Sequence, residues 1–485
     1  MNYKIIARIV SQILGLEALF MLPSLFLALA EGRSRTALAF FASAGIVALV
    51  SLALFLLSRR GGKERQYFAR EGMVSVALSW ILMGLFGALP FFFSGEIPRY
   101  IDALFEIVSG FTTTGASVVP DVEALSRAVL YWRSFSHWLG GMGVLVFLLA
   151  IVPTANRSTG NTVHLLRAES PGPTVGKLAP RMRETAKILY LIYIALTALC
   201  FLFLLFGGMP VFDSLCTAFG TAGTGGFAVK NDSLAGYSPY LQTVTAVFML
   251  LFGVNFTVYH LIFLKQLRPA FKNDELRLYL GLVAGSTALV AFNIRALYAT
   301  AGETLRHAFF QVSSIMTTTG FSTADFDAWP VLSKVILVLL MCVGASAGST
   351  GGGFKVARLI LVFKTLRRNI RRTLHPQKVQ VIRSGGQVIS ERSIENTSSY
   401  LAAYVFILLV SFLVLSFDAS STTTALTSVV ACFNNIGPGL DGVGPACNYG
   451  AYSVLSKLTL ILDMLAGRLE IFPILVLFSR STWTK

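Results

Sequence analysis

Phe111-Thr-Thr-Thr-Gly115 decides how this chain folds, because the sequence writes it four times. The other copies are Phe219-Gly-Thr-Ala-Gly223, Met316-Thr-Thr-Thr-Gly320 and Phe433-Asn-Asn-Ile-Gly437. Each has one apolar or aromatic residue, three mostly small or polar residues and a glycine. Each also lies between two apolar stretches of roughly 20 residues, long enough to cross a bilayer. Reading outward places spans near 5–30, 37–58, 73–94, 127–152, 186–207, 240–264, 277–299, 331–367, 398–417 and 453–479. The copies fall between spans three and four, five and six, seven and eight, and nine and ten. A pentapeptide scattered by chance does not track topology in this way. The expected fold is an all-α polytopic membrane protein, with four pseudo-symmetric helix–loop–helix units around a central path. Two additional helices precede the units (1–70), which run over 71–160, 161–275, 276–393 and 394–485.

Composition agrees with a membrane setting. Of 485 residues 54% are hydrophobic and 13% charged, the latter about half the share of a soluble protein. The basic residues behind the net charge of +16 cluster in four linkers, and the alternate linkers carry few Lys or Arg. Arg59, Arg60, Lys63, Arg65 and Arg70 form one cluster, and Arg157 with Arg167 to Lys187 a second. Lys265, Arg268 and Lys272 form a third, and Lys364, Arg367, Arg368, Arg371, Arg372 and Arg383 the fourth. That alternation is the positive-inside pattern, so these linkers and both termini are expected in the cytoplasm, with membrane lipid rather than nucleic acid as their neighbour. The run Ile5 to Ala30 is too long for a secretory h-region and is read as a span. Cys200, Cys216, Cys342, Cys432 and Cys447 are scattered, without zinc spacing or a disulfide framework.

Each copy follows a segment of roughly 10 to 15 residues, too short to span and therefore expected to be re-entrant. Asp102, Asp213, Glu303 and Asp418 stand near the starts of these segments, where acids stabilise a helix N-terminus. The partly negative C-terminal ends then point inward and favour a cation. A cation entering a bilayer needs its water replaced by other oxygens, and backbone carbonyls of glycine-containing loops facing one axis supply them. Irregular backbone at membrane depth is tolerated only where it is buried or lines a water-filled path. The candidate binding residues are Thr112, Thr113, Thr114 and Gly115; Thr317, Thr318, Thr319 and Gly320; and Asn434, Asn435, Ile436 and Gly437. In the second unit Thr221, Ala222 and Gly223 fit the pattern through Phe219. Thr224, Gly225 and Gly226 fit it through Asp213, which precedes Gly226 by the same interval as Asp102 precedes Gly115. Phe219, in the place of Phe111, Met316 and Phe433, favours Gly223, and both registers stand at this point.

With these residues the sequence resembles the TrkH–KtrB–HKT superfamily of potassium transporters, specifically its bacterial TrkH branch, over the whole chain. The resemblance implies one filter glycine per unit, potassium as the transported ion, a bacterial inner-membrane location and a homodimer. It also implies a TrkA-like cytosolic ring as regulatory partner, so that nucleotide binds the partner and not this chain.

The third unit carries a further signal. From Val331 to Val343 its second helix covers about 20 Å at 1.5 Å per residue, too little to cross. The stretch Gly344, Ala345, Ser346, Ala347, Gly348, Ser349, Thr350, Gly351, Gly352, Gly353 must then lie inside the membrane, unwound, blocking or lining the path. It is no phosphate loop, since Phe354 interrupts the required Gly-Lys pair and no βαβ context exists. A small-residue packing seam is the alternative. Arg468, deep in the last span, should face the bundle interior or water, and is expected to donate to carbonyls of this loop. Neither Asp463 nor Glu470 shares its helical face. His260 and Asn255 read as lining or packing residues, and the histidines at 137, 164, 307 and 375 as isolated. No nucleophile–base set or metal cluster suggests an enzyme. Between a gated pore and an ion-coupled symporter, the lack of ionisable candidates at the filters favours the pore.

Overall fold

A computed structural model describes residues 1–59, 69–143, 182–377, 380–384 and 387–483. The expectations for Arg60, Lys63, Arg65, Arg157, His164, Arg167 and most of the second basic linker lie outside the described residues, as does the end of span four. Among the described residues the regular secondary structure is helical, apart from a two-residue antiparallel pair, Arg383–Ser384 with Gln387–Val388.

Among the described residues, six helices are long and apolar enough to cross a membrane: Tyr3–Ala30, Ser34–Arg59, Arg70–Ser94, Ala186–Phe206, Asp274–Ile294 and Glu391–Leu415. Pro239–Gly253 and Phe256–Phe263 form a further span bent by 90°. Large apolar side chains such as Phe41, Leu191, Phe292 and Phe406 are exposed on the outer surface, as suits a lipid-facing wall. Several expected spans are broken. The first bends at Met21, ahead of Pro23, and the third at Ala88, ahead of Pro90, because proline has no N–H for the preceding turn. The eighth stops at Val343 and resumes as Val356–Leu374. The tenth stops at Arg468, passes through Glu470 and Ile471 at positive φ, and resumes at Phe472.

Four short helices stand between the spans of the four units: Tyr100–Phe111, Val211–Gly223, Ala301–Met316 and Thr422–Phe433. Asp102, Asp213 and Glu303 sit in the first turns of the first three. Asp418 does not, correcting the expectation for the fourth. The hydroxyl of Ser421 caps that helix by accepting from Thr424 N, while the Asp418 carboxylate accepts from Ser453 N (2.7 Å) and Ser456 Oγ (2.6 Å) at the start of Val454–Arg468. Each short helix packs against the second helix of the preceding unit. Arg127–Gly141 meets Val211–Gly223, Pro239–Gly253 meets Ala301–Met316, Val331–Val343 meets Thr422–Phe433, and Val454–Arg468 meets Tyr100–Phe111. The last contact closes the ring.

Candidate ion path: four loops and the segment beneath them

The four short helices end in one backbone turn. Thr114 N donates to Ser109 O (2.8 Å), Gly225 N to Gly220 O (2.8 Å), Thr319 N to Ser314 O (2.8 Å) and Ile436 N to Ala431 O (2.9 Å). This bond across five residues satisfies carbonyls that a helix end otherwise orphans. One residue earlier the chain is left-handed in every copy: Thr113 (φ 57°), Thr224 (φ 53°), Thr318 (φ 58°) and Asn435 (φ 57°). Each is a non-glycine residue in a region that raises its energy by about 1–3 kcal/mol, held by its surroundings. Two residues later stands a glycine at positive φ: Gly115, Gly226, Gly320 and Gly437.

These glycines need more than their dihedrals. A Cβ on Gly115 would meet the Gly225 carbonyl oxygen at 1.9 Å, and one on Gly226 the Thr319 oxygen at 2.0 Å. On Gly320 it would meet the Ile436 oxygen at 2.1 Å, and on Gly437 the Thr114 oxygen at 2.7 Å. The closest approaches therefore run from unit to unit and return to the start. All four glycines line one open cavity of about 190 Å³, with Ser117, Arg133 and Tyr449 at its walls. Below, Thr113 Oγ1 and Asn435 Oδ1 are buried oxygens without a hydrogen-bond partner. Behind the loops, Thr112 and Thr114 share a hydroxyl contact at 2.8 Å, as do Thr317 and Thr319 at 2.8 Å. Asn435 Nδ2 crosses to Thr114 Oγ1 (3.0 Å), and the Tyr404 hydroxyl donates to Asn434 Oδ1 (3.0 Å).

Directly under this ring lies the segment 344–355, irregular and largely buried. Gly352 N donates to Thr318 Oγ1 (2.6 Å). A Cβ on Gly351 would approach Thr317 O at 2.8 Å, and one on Gly352 would approach Asn434 O at 2.4 Å. Several anchors hold the segment. Ala347 N donates to Glu275 Oε1 (2.6 Å), Ser346 N to Gly253 O (3.1 Å), and Phe256 N to Gly348 O (3.1 Å). Arg468 Nη1 donates to Thr350 O (2.8 Å) and Nη2 to Gly141 O (2.7 Å) and Gly140 O. One guanidinium thus joins unit four, the end of the first unit's inner helix and the irregular segment of the third.

Comparison with known proteins decides the lineage. The family model for TrkH, described as a cation transport protein, matches residues 39–290 and 295–484. The chain belongs to the TrkH family. A Salmonella typhimurium relative, named Trk system potassium uptake protein TrkH, is 39% identical over 496 residues, with both chains fully covered. An Escherichia coli relative of the same name is 40% identical over 424 residues, 86% of each chain. The crystal structure titled as that of the potassium transporter TrkH from Vibrio parahaemolyticus superposes with a TM-score of 0.88 at 32% identity, covering both chains completely.

Within this TrkH-family chain the second loop is Gly223-Thr224-Gly225-Gly226, so geometry matches Gly226, not Gly223, to Gly115. Thr221 and Ala222 belong to the last helical turn. Phe219 misleads because Ala222 holds the place of Phe111, whereas the interval from Asp213 marks the true register. Asn255 caps Phe256–Phe263 by accepting from Thr257 N (2.9 Å). All five cysteines are free. Among the described residues no His, Cys, Asp and Glu group could hold a metal ion.

Sequence reading did not anticipate the burial or the partners of several ionisable groups. Lys355 is 2% exposed, left-handed (φ 77°), and its ammonium donates to Gly351 O. Arg358 pairs with Glu470 and lies 3.9 Å over the Tyr400 ring. Glu106 and Arg133 form a wholly buried pair at 2.7 Å beside the first two loops. The Asp463 carboxylate accepts from Ser411 Oγ (2.7 Å), and Glu17 is buried in the first span. Only charge within an apolar run marks such residues beforehand.

Proposed function

We propose that this chain passes potassium ions across the bacterial inner membrane through the four-loop ring, with its termini cytoplasmic. The carbonyls of 112–114, 223–225, 317–319 and 434–436 replace the ion's water, and the glycines that follow let each loop lie against its neighbour. The observation that carries this reading is the closed ring of glycine–carbonyl approaches, four copies of one strained turn at the negative ends of four helices. The orphan oxygens of Thr113 and Asn435 suit a partly dehydrated cation.

Segment 344–353 is the gate, and Arg468 its latch. The segment lies against the inner ends of loops three and four, and a fixed positive charge beside it opposes cation passage. The helix Val356–Leu374 runs directly from the segment to Arg367, Arg368, Arg371 and Arg372. Docking of a TrkA-like nucleotide-binding ring on that basic surface would therefore pull on the gate itself, and the working unit is a homodimer. Nucleotide binds the ring and not this chain.

Coupled symport of potassium with protons or sodium is the second reading, favoured by the buried carboxylate of Asp463, the kind of group coupled transporters use. Its bond to Ser411 turns it toward the outer helix Glu391–Leu415 rather than the loops. Flux into liposomes, measured for potassium, rubidium and sodium with and without the cytosolic ring, tests the proposal. Equal sodium permeation removes the potassium assignment, and a reversal potential that follows protons or sodium as well as potassium selects symport.

A further inference from the structure

Loop two departs from its sisters in one respect. In loops one and three, threonines flank the left-handed residue and bond each other. In loop two both flanking positions are glycine, Gly223 and Gly225. Backbone conformation does not require them, since neither has positive φ. Space does. A Cβ on Gly223 would lie 2.2 Å from the carbonyl oxygen of His137, and one on Gly225 2.3–2.5 Å from Cγ, Nδ1 and Cδ2 of the His137 ring.

That ring is fully buried and stacks on Phe227, the residue after Gly226, at 4.3 Å and 23°. One turn earlier on the same helix, the Arg133 guanidinium covers the same phenyl ring at 4.0 Å. Neither imidazole nitrogen makes a hydrogen bond of ordinary geometry, although the Ser109 backbone lies close. The ring therefore supplies bulk and an aromatic face.

We propose that His137 is the positioning residue of loop two. Its imidazole fills the volume that a threonine side chain fills in loops one and three, and so sets where the Gly225 carbonyl stands over Gly115. Unit one thereby shapes the filter of unit two. The inference rests on the reading of the four loops as a selectivity filter.

The test is the potassium-to-sodium permeability ratio of the full chain in liposomes, from bi-ionic reversal potentials. The variants are H137A, G225T and H137A/G225T, with G320A as a reference for the filter reading. Each single change at 137 or 225 should lower the ratio about tenfold, one by emptying the space and the other by overfilling it. The double variant should return to within about threefold of wild type, because the threonine takes the place of the ring. A properly assembled H137A with a wild-type ratio overturns the proposal, and so does a double variant no better than the worse single one. If a single variant fails to assemble, recovery of selective transport in the double supports the pairing and its absence refutes it. If G320A also keeps a wild-type ratio, the filter reading itself falls; if only H137A does, the filter stands and His137 has no part in it.

Discussion

Replacing Arg468 with alanine should raise ion flux in the absence of any regulatory partner. The guanidinium donates to the proposed gate at Thr350 O, and also to Gly140 O and Gly141 O of a neighbouring helix end. Of these three, the Thr350 bond is the one a displaced segment would break. A hydrogen bond from a charged donor contributes about 1.5–3 kcal/mol. At about 1.4 kcal/mol per factor of ten, its loss shifts the equilibrium of the segment roughly 10- to 100-fold toward the displaced state. If the wild-type segment is displaced less than about one part in a thousand, flux rises by nearly that whole factor, and removal of the cation adds to it. Rubidium uptake into potassium-loaded liposomes reads the change, and Arg468→Lys, with a single ammonium in place of the fork, should fall between. Unchanged or reduced uptake in a variant that elutes and melts like wild type would refute the latch.

Gly320→Ala should abolish discrimination between potassium and sodium, since the residue sits at φ 86° and its new methyl would meet Ile436 O at 2.1 Å; bi-ionic potentials check this. Arg133→Met should destabilise the chain by about 3–5 kcal/mol by leaving Glu106 buried without its partner, and Glu106→Gln in the same chain should recover much of the loss in thermal unfolding. Beyond the end of Glu391–Leu415, partial burial works to raise the Asp418 pKa, but hydrogen bonds from Ser453 and Ser456 outweigh it and hold the carboxyl below its ordinary range. Its stabilising contribution is therefore complete above the ordinary aspartate value and is lost as pH falls through the lower folded one. Asp418→Asn should flatten the acid limb of thermal stability and leave neutral-pH flux intact. Neutralising Arg367, Arg368, Arg371 and Arg372 together should remove any nucleotide dependence conferred by a cytosolic ring, as flux with and without the ring will report.

The repeat was legible because it is local: an apolar residue, a few small ones and a glycine, set by the turn that ends each short helix. Helix breaks were legible only where composition announced them, as at 344–353. The break after Gly253 and the one at Glu470 were not, since the first leaves the chain apolar and the second depends on Arg358, distant in sequence, capturing the carboxylate. The same limit explains the register of loop two. Matching Phe219 to Phe111 compares side chains that face lipid or protein, whereas the turn is fixed by backbone bonds such as Gly225 N to Gly220 O. The interval from the first-turn acid agrees between units one and two, 13 residues from Asp102 to Gly115 and from Asp213 to Gly226, but is 17 in unit three, so the turn itself and not that interval sets the register.

What sequence could not show is that the units are built from one another. Each short helix leans on the second helix of the unit before it, so the fourfold likeness in sequence becomes a closed mechanical cycle in space. Several departures from likeness fall at crossings between units. His137 of unit one fills loop two, Gly352 of unit three bonds loop three from below and abuts loop four, and Arg468 of unit four reaches unit one and the unit-three segment. A repeat drifts freely where a residue meets only its own unit. Where it meets the next, a change on one side demands a matching change on the other, which is why glycine at 225 and histidine at 137 belong together.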